Sequence, residues 1–281
     1  MKSFLQQIAA THVTQSNAPM PFEVSAAISR RFTARVLRLG ACFGLLASIA
    51  SAPLHAAEIV NLTVGPSGQP ENTVADGPPA VLGSKLPGTT TVPSVSADTA
   101  SGQGSVINFD GGQLVQFEDA SRFAFFTGKK FTIAARLFIE SKGQQGSVYL
   151  INHWAYGKAD RSLAVRLVPQ SGKVFPTVTI RNADDLSHAT IEPKDVSWGA
   201  GQWVHFAVVG DGSMLSFWVD GVESTSSYKI PEMRSSFLPL VVGGVGGAFV
   251  DDAGVVMKIK DLKILDSAAD AAWIEGEAKK K

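Results

Sequence analysis

The feature that most limits what this chain can fold into is a period-two alternation, repeated between tight turns. In residues 131–139 the odd positions are Phe131, Ile133, Ala135, Leu137 and Ile139. Successive side chains of a strand point to opposite faces, so this stretch reads as a strand with one buried side. Leu163, Val165 and Leu167 alternate likewise, as do Val178 and Ile180. Trp203 to Val209 alternates, Asp211-Gly212 turns, and Met214 to Val219 alternates again. Asp-Gly between two such runs is a strong short-range hairpin signal. Val106 to Phe109 ends at Asp110-Gly111-Gly112, and Asp220-Gly221 turns once more. Leu240-Val241-Val242 runs into Gly243-Gly244, and Val256 to Leu265 makes a last strand. Only Ser267 to Lys279, short and rich in alanine, reads as helix. The pattern predicts an all-β fold, a two-sheet antiparallel jelly-roll β-sandwich with a short C-terminal helix. Five tryptophans and sixteen phenylalanines suit a core with two inner faces.

The alternation begins near Ser105, and what precedes it differs. Residues 58–104 read as a linker or irregular lead-in, dense in Gly, Pro, Ser and Thr from Val64 to Gly104. Ala80-Val81-Leu82 is a candidate edge strand within it. Residues 1–57 read as a leader and signal peptide. Arg30, Arg31, Arg35 and Arg38 form a basic stretch, Leu39 to Ala50 is apolar or small, and Ala56 and Ala57 offer a cleavage point. The apolar run falls short of the roughly 20 residues that span a bilayer. Arg30-Arg31 is similar to a twin-arginine signal, but Phe32 stands one position early, so general secretion is favoured. Cys42 follows Leu39-Gly40-Ala41 as in a lipobox, yet the apolar run lies after the cysteine rather than before it. The expectation is a protein secreted, periplasmic or at the surface of a bacterium, touching membrane only through its export signal. The mature chain then lacks cysteine, which fits an oxidising compartment.

Composition removes several functions. The 25 basic and 25 acidic side chains balance, so no surplus of positive charge exists for a nucleic acid. Residues 1–56 hold five of the basic groups and one of the acidic ones, which leaves the remainder at about −4. Gly243-Gly244-Val245-Gly246-Gly247 is rich in glycine, but no helix follows to offer its N-terminus to phosphate, so no nucleotide site is expected.

Several motifs occur in an order that resembles a known superfamily. They are Asn108-Phe109-Asp110-Gly111, Phe131-Thr132-Ile133-Ala134-Ala135 and Gly201-Gln202-Trp203-Val204-His205-Phe206-Ala207-Val208. Next come Phe217-Trp218-Val219-Asp220-Gly221, Pro239-Leu240-Val241-Val242-Gly243-Gly244 and Ile259-Lys260-Asp261-Leu262-Lys263-Ile264, then a short helix near Trp273-Ile274. From about Gly104 to Glu277 the chain resembles the laminin-G-like, concanavalin A-like lectin/glucanase superfamily, in particular its pentraxin-related bacterial branch. The resemblance implies the sandwich fold of residues 105–281. It leaves function open, because members range from lectins and adhesion modules to glycosidases and lyases.

Site residues follow from the chemistry each function needs. Glycoside hydrolysis needs two carboxylates flanking the bond, which on a strand means acids at i and i+2 or i+4. Glu118-Asp119, Asp184-Asp185 and Asp251-Asp252 are adjacent and would face opposite ways. The Glu-x-Asp-x-Glu strand of the superfamily's glucanases does not occur, and His205 stands where members carry a structural histidine. No catalytic residue is assigned. Trp154 and Tyr156, in His153-Trp154-Ala155-Tyr156-Gly157, are candidates to stack on sugar rings; Arg181 and Asp184 are candidates to hydrogen-bond their hydroxyls. Asp110, Asp251 and Asp252 are candidate ligands for a structural calcium ion. The expected partner is a glycan or a cell-surface protein. The alternatives are a polysaccharide-active enzyme of the same superfamily and a purely structural module.

Overall fold

A computed structural model describes residues 56–84, 91–99, 101–141, 146–154, 161–182, 187–244 and 255–280. The expected leader and signal segment, apart from Ala56 and Ala57, lies outside the described residues. In chain order the strands are β1 (Glu58–Val64), β2 (Pro70–Asn72), β3 (Ala80–Ser84), β4 (Ser94–Asp98), β5 (Gly104–Phe109) and β6 (Gln113–Phe117). A 3-10 helix (Ala120–Gly128) precedes β7 (Lys130–Ser141), β8 (Val148–Trp154), β9 (Arg161–Gln170) and β10 (Lys173–Arg181). Then come β11 (His188–Ile191), β12 (Trp198–Gly199), β13 (Trp203–Asp211), β14 (Met214–Val219), β15 (Val222–Glu223) and β16 (Tyr228–Lys229). The chain closes with β17 (Leu240–Val242), β18 (Val255–Leu265) and helix α1 (Ala271–Lys279).

The strands form two antiparallel sheets. Among the described residues the first has ten strands, in the order β15-β14-β13-β7-β18-β1-β2, with β16 on β14 and the pair β4-β5 on β18. The second has eight, in the order β11-β10-β9-β8-β17-β6-β3, with β12 on β10. The predicted alternation sets which face is inside. Ile133, Leu137 and Ile139 of β7 meet Leu163, Val165 and Leu167 of β9 in one core, all fully buried. Each such side chain contributes roughly 1.5–3 kcal/mol relative to exposure.

The first sheet is covered on its other side as well. Ala134, Ala207, Val209 and Trp218 pack there against Ile274 of α1. This explains why β13 is buried from Val204 to Gly210 instead of alternating cleanly. Asp270 caps α1, its side chain accepting from the Trp273 N–H at 2.8 Å. The Asp-Gly turns behave as read: Asp220 and Gly221 both have positive φ, at 50° and 82°, between paired Val219 and Val222. Gly243 has φ +88°, and a Cβ there would lie 2.3 Å from the buried Phe109 ring, so only glycine fits.

One expectation needs correction. The described part of residues 58–104 is not a linker. β1 pairs with both β18 and β2, and its Val60 and Leu62 are fully buried in the core. Ala80-Val81-Leu82 does lie in an edge strand, β3. Gly, Pro and Ser hid these elements because they form the turns between strands of only three to seven residues.

Candidate functional site

The second sheet turns Leu163, Val165 and Leu167 of β9 and Val174, Val178 and Ile180 of β10 to the core. The intervening side chains therefore form its outer face. The β9–β10 hairpin sets their register: Arg166 lies opposite Thr177, Val168 opposite Phe175, and Gln170 opposite Lys173. The hairpin turn is made by Ser171 and Gly172, both at positive φ (51° and 76°), as a two-residue turn of this hand requires. A groove of about 390 Å³ opens on this face. Arg166, Gln170, Phe175 and Thr177 contribute from the strands, while Glu192 and Lys194 contribute from the segment after β11. The volume falls in the range of ligand pockets, roughly 300–1,000 Å³. Phe175 and Arg166 are half-buried; Gln170, Glu192 and Lys194 are exposed.

Asp195 fixes the wall that carries Glu192 and Lys194. Its Oδ2 accepts from Ser224 Oγ and Thr225 Oγ1, both at 2.9 Å, and from the Ser226 N–H at 3.1 Å. Desolvation acts upward on this carboxyl, but the hydrogen bonds from Ser224, Thr225 and Ser226 outweigh it and hold it at about 2.

The structure also locates the residues expected from sequence. Trp154 ends β8 and Arg181 ends β10, and both strands run antiparallel to β9, so the two positions reach the same end of the second sheet. Arg181 is half-buried and lies opposite His188 of β11. Tyr156 and Asp184 lie outside the described residues. Further along the outer face, Asn152 is 1% exposed and neither of its amide atoms has a hydrogen-bond partner. Asp110 is exposed, and its backbone N–H donates to Gln113 Oε1 at 2.6 Å. Asp251 and Asp252 lie outside the described residues. Among the described residues no group of three or more His, Cys, Asp or Glu side chains is placed to hold a metal.

His205 sits away from the groove, beneath α1. Arg136, Lys263 and Glu277 line the same small polar hollow. Burial, then the nearby Arg136 charge, pull its imidazole down to about 4. It packs as part of the sheet–helix contact. Within the groove, Glu192 is the carboxylate among the described lining residues. The arrangement offers a ring face, a guanidinium and polar side chains on two walls, which is the equipment of hydrogen-bonding and stacking recognition.

Sequence reading missed this groove. Arg166, Phe175 and Thr177 occupy the outward register of strands whose inward register was recognised. A large aromatic at such a position was the available signal.

Residues 109–275 match the concanavalin A-like lectin/glucanases superfamily in its laminin-G form. The chain belongs to this superfamily. No curated protein matches the sequence. Among solved structures, the receptor-binding domain of botulinum neurotoxin type G superposes at TM-score 0.55 and 14% identity, over 79% of this chain and 51% of that one. A structure of botulinum neurotoxin type C, whose cell entry depends on interaction with two ganglioside molecules, gives 0.55 and 14% over 79% and 50%. The binding domain of botulinum neurotoxin DC in complex with SialylT gives 0.54 and 12% over the same shares. This chain thus spans about half the length of each. At these identities the likeness shows the shared lectin-like sandwich fold.

Proposed function

We propose that the chain is an exported, non-catalytic domain that binds carbohydrate through the outer face of its second sheet. One observation carries the reading. A half-buried phenyl ring, Phe175, sits in an open groove between polar and charged walls. Sugar rings present C–H faces that pack on aromatic rings and hydroxyls that hydrogen-bond to Arg, Gln, Thr and Glu side chains. The superfamily and the glycan-linked neighbours support this choice of ligand class. Export rests on the basic stretch and apolar run of residues 30–50, followed by Ala56-Ala57.

The test is a glycan array followed by calorimetry on the best hit, with Phe175→Ala alongside. Loss of a stacking ring should weaken binding about tenfold, an aromatic contact contributing roughly 0.5–1.5 kcal/mol beyond its buried area. Thermal stability should change little, because Phe175 lies on the outer face. Equal affinity of the two proteins would remove the groove from the reading. Release of reducing sugar from the bound polysaccharide would favour the enzyme reading instead.

A further inference from the structure

We infer that the groove selects glycans carrying an anionic group, an assignment that rests on the carbohydrate reading above. The motive is charge sorting. Without residues 1–56 the chain has a net charge of about −4. The groove nonetheless presents Arg166 and Lys194 against one carboxylate, Glu192. Lys173, exposed and paired with Gln170, adds a third cation at the hairpin end of the same face. An acidic chain with a cationic groove draws anions toward that groove and away from the rest of its surface.

The geometry fixes how such a ligand fits. Phe175 is opposite Val168, and Arg166 is two residues from Val168 on the same face. Phe175 and Arg166 are therefore diagonal neighbours, about 7–8 Å apart by sheet geometry with their Cβ atoms somewhat closer. A sugar ring stacked on the phenyl would place a substituent at the guanidinium. The guanidinium's planar fork matches a carboxylate with two parallel N–H···O bonds, whereas a hydroxyl uses only one. Among the described residues no carboxylate pairs with Arg166. Among the described residues its half-buried guanidinium is thus open to a ligand. Glu192, on the opposite wall, opposes an anion and favours hydroxyl donors on the ligand's far side.

The experiment uses the full chain and three probes: an oligogalacturonate (carboxylated), a sulfated galactan oligosaccharide and a neutral xylo-oligosaccharide. Calorimetry is run at low and high salt on the wild type, Arg166→Gln and Phe175→Ala, with circular dichroism to confirm folding. Charge-assisted bonds predict at least about tenfold tighter binding of an anionic probe than of the neutral one. Raising salt should shrink that gap, and Arg166→Gln should abolish it. A sulfated probe ahead of the carboxylated one keeps the assignment and names sulfate as the source. A neutral probe bound as tightly as the anionic ones, with loss in Phe175→Ala, overturns the anionic assignment and leaves the carbohydrate reading standing. Retention of the anionic preference in Arg166→Gln also overturns it. Silence with all three probes removes both.

Discussion

His153 and His205 show how single side chains tie stability to pH. His153 is 1% exposed, lies within 6.0 Å of the Phe123 and Phe126 rings, and donates from Nε2 to the Leu238 carbonyl at 2.8 Å. Burial drives its imidazole down to about 4, against a smaller upward pull from the Leu238 hydrogen bond. His205 is likewise brought to about 4. A folded value below the unfolded one means that the unfolded chain binds the extra protons. The stability from neutral burial is therefore complete above about pH 6.5 and is lost as pH falls toward about 4. For His153 the loss is roughly 3 kcal/mol at the acid end. Melting temperature should fall steeply between pH 6.5 and 4, and His153→Phe should flatten that limb by removing the titrating group. An unchanged slope in the variant would reject this role. The sequence placed His153 beside the candidate sugar-stacking residues Trp154 and Tyr156. Only the fold reveals that its ring lies among phenylalanines 30 and 27 positions away in sequence.

Elements were legible where apolar residues recur at every second position. β7, β9, β13 and β14 carry such runs, even though α1 covers the second face of β13, and turns beside them contain residues that accept positive φ. Residues 120–128 were not legible. Phe123 and Phe126 stand three apart, the spacing of a 3-10 turn, but one such pair within nine residues carries too little pattern to read. The groove was illegible for a different reason: Glu192 and Lys194 reach it through the path of the segment between β11 and β12, which tertiary contacts set. Asp195 is the fixed point of that segment, so its removal tests whether the wall must be held. Asp195→Ala deletes three exposed hydrogen bonds, which water can replace, and should leave thermal stability nearly unchanged. Glycan affinity should drop several-fold, since the wall must then be ordered on binding. Calorimetry beside thermal unfolding separates the two effects. Unchanged affinity would show that the strand residues bind alone.

The family match and the folding unit do not coincide, and the difference is physical. The match begins at residue 109, in the strand that precedes the first Asp-Gly-Gly turn. The sheets begin at Glu58: β1 lies between β18 and β2, with Val60 and Leu62 fully buried, and β3 forms the edge beside β6. Removing residues 1–104 would strip β1 from one side of β18 and expose the core face of Ile264 and its neighbours. It would also leave β6 as a bare edge. Two fully buried aliphatic side chains contribute roughly 3–6 kcal/mol together. That is a large share of the roughly 5–15 kcal/mol by which domains are stable. A chain starting at Glu58 should unfold cooperatively, whereas one starting at Ser105 should aggregate or melt far lower. Guanidinium unfolding of both forms, with dye binding to report exposed apolar surface, decides the matter. Equal midpoints would show that β1 to β4 only decorate the sandwich. Unequal ones would show that the glycine- and proline-rich stretch, which reads as a tether, completes the core on which the groove is built.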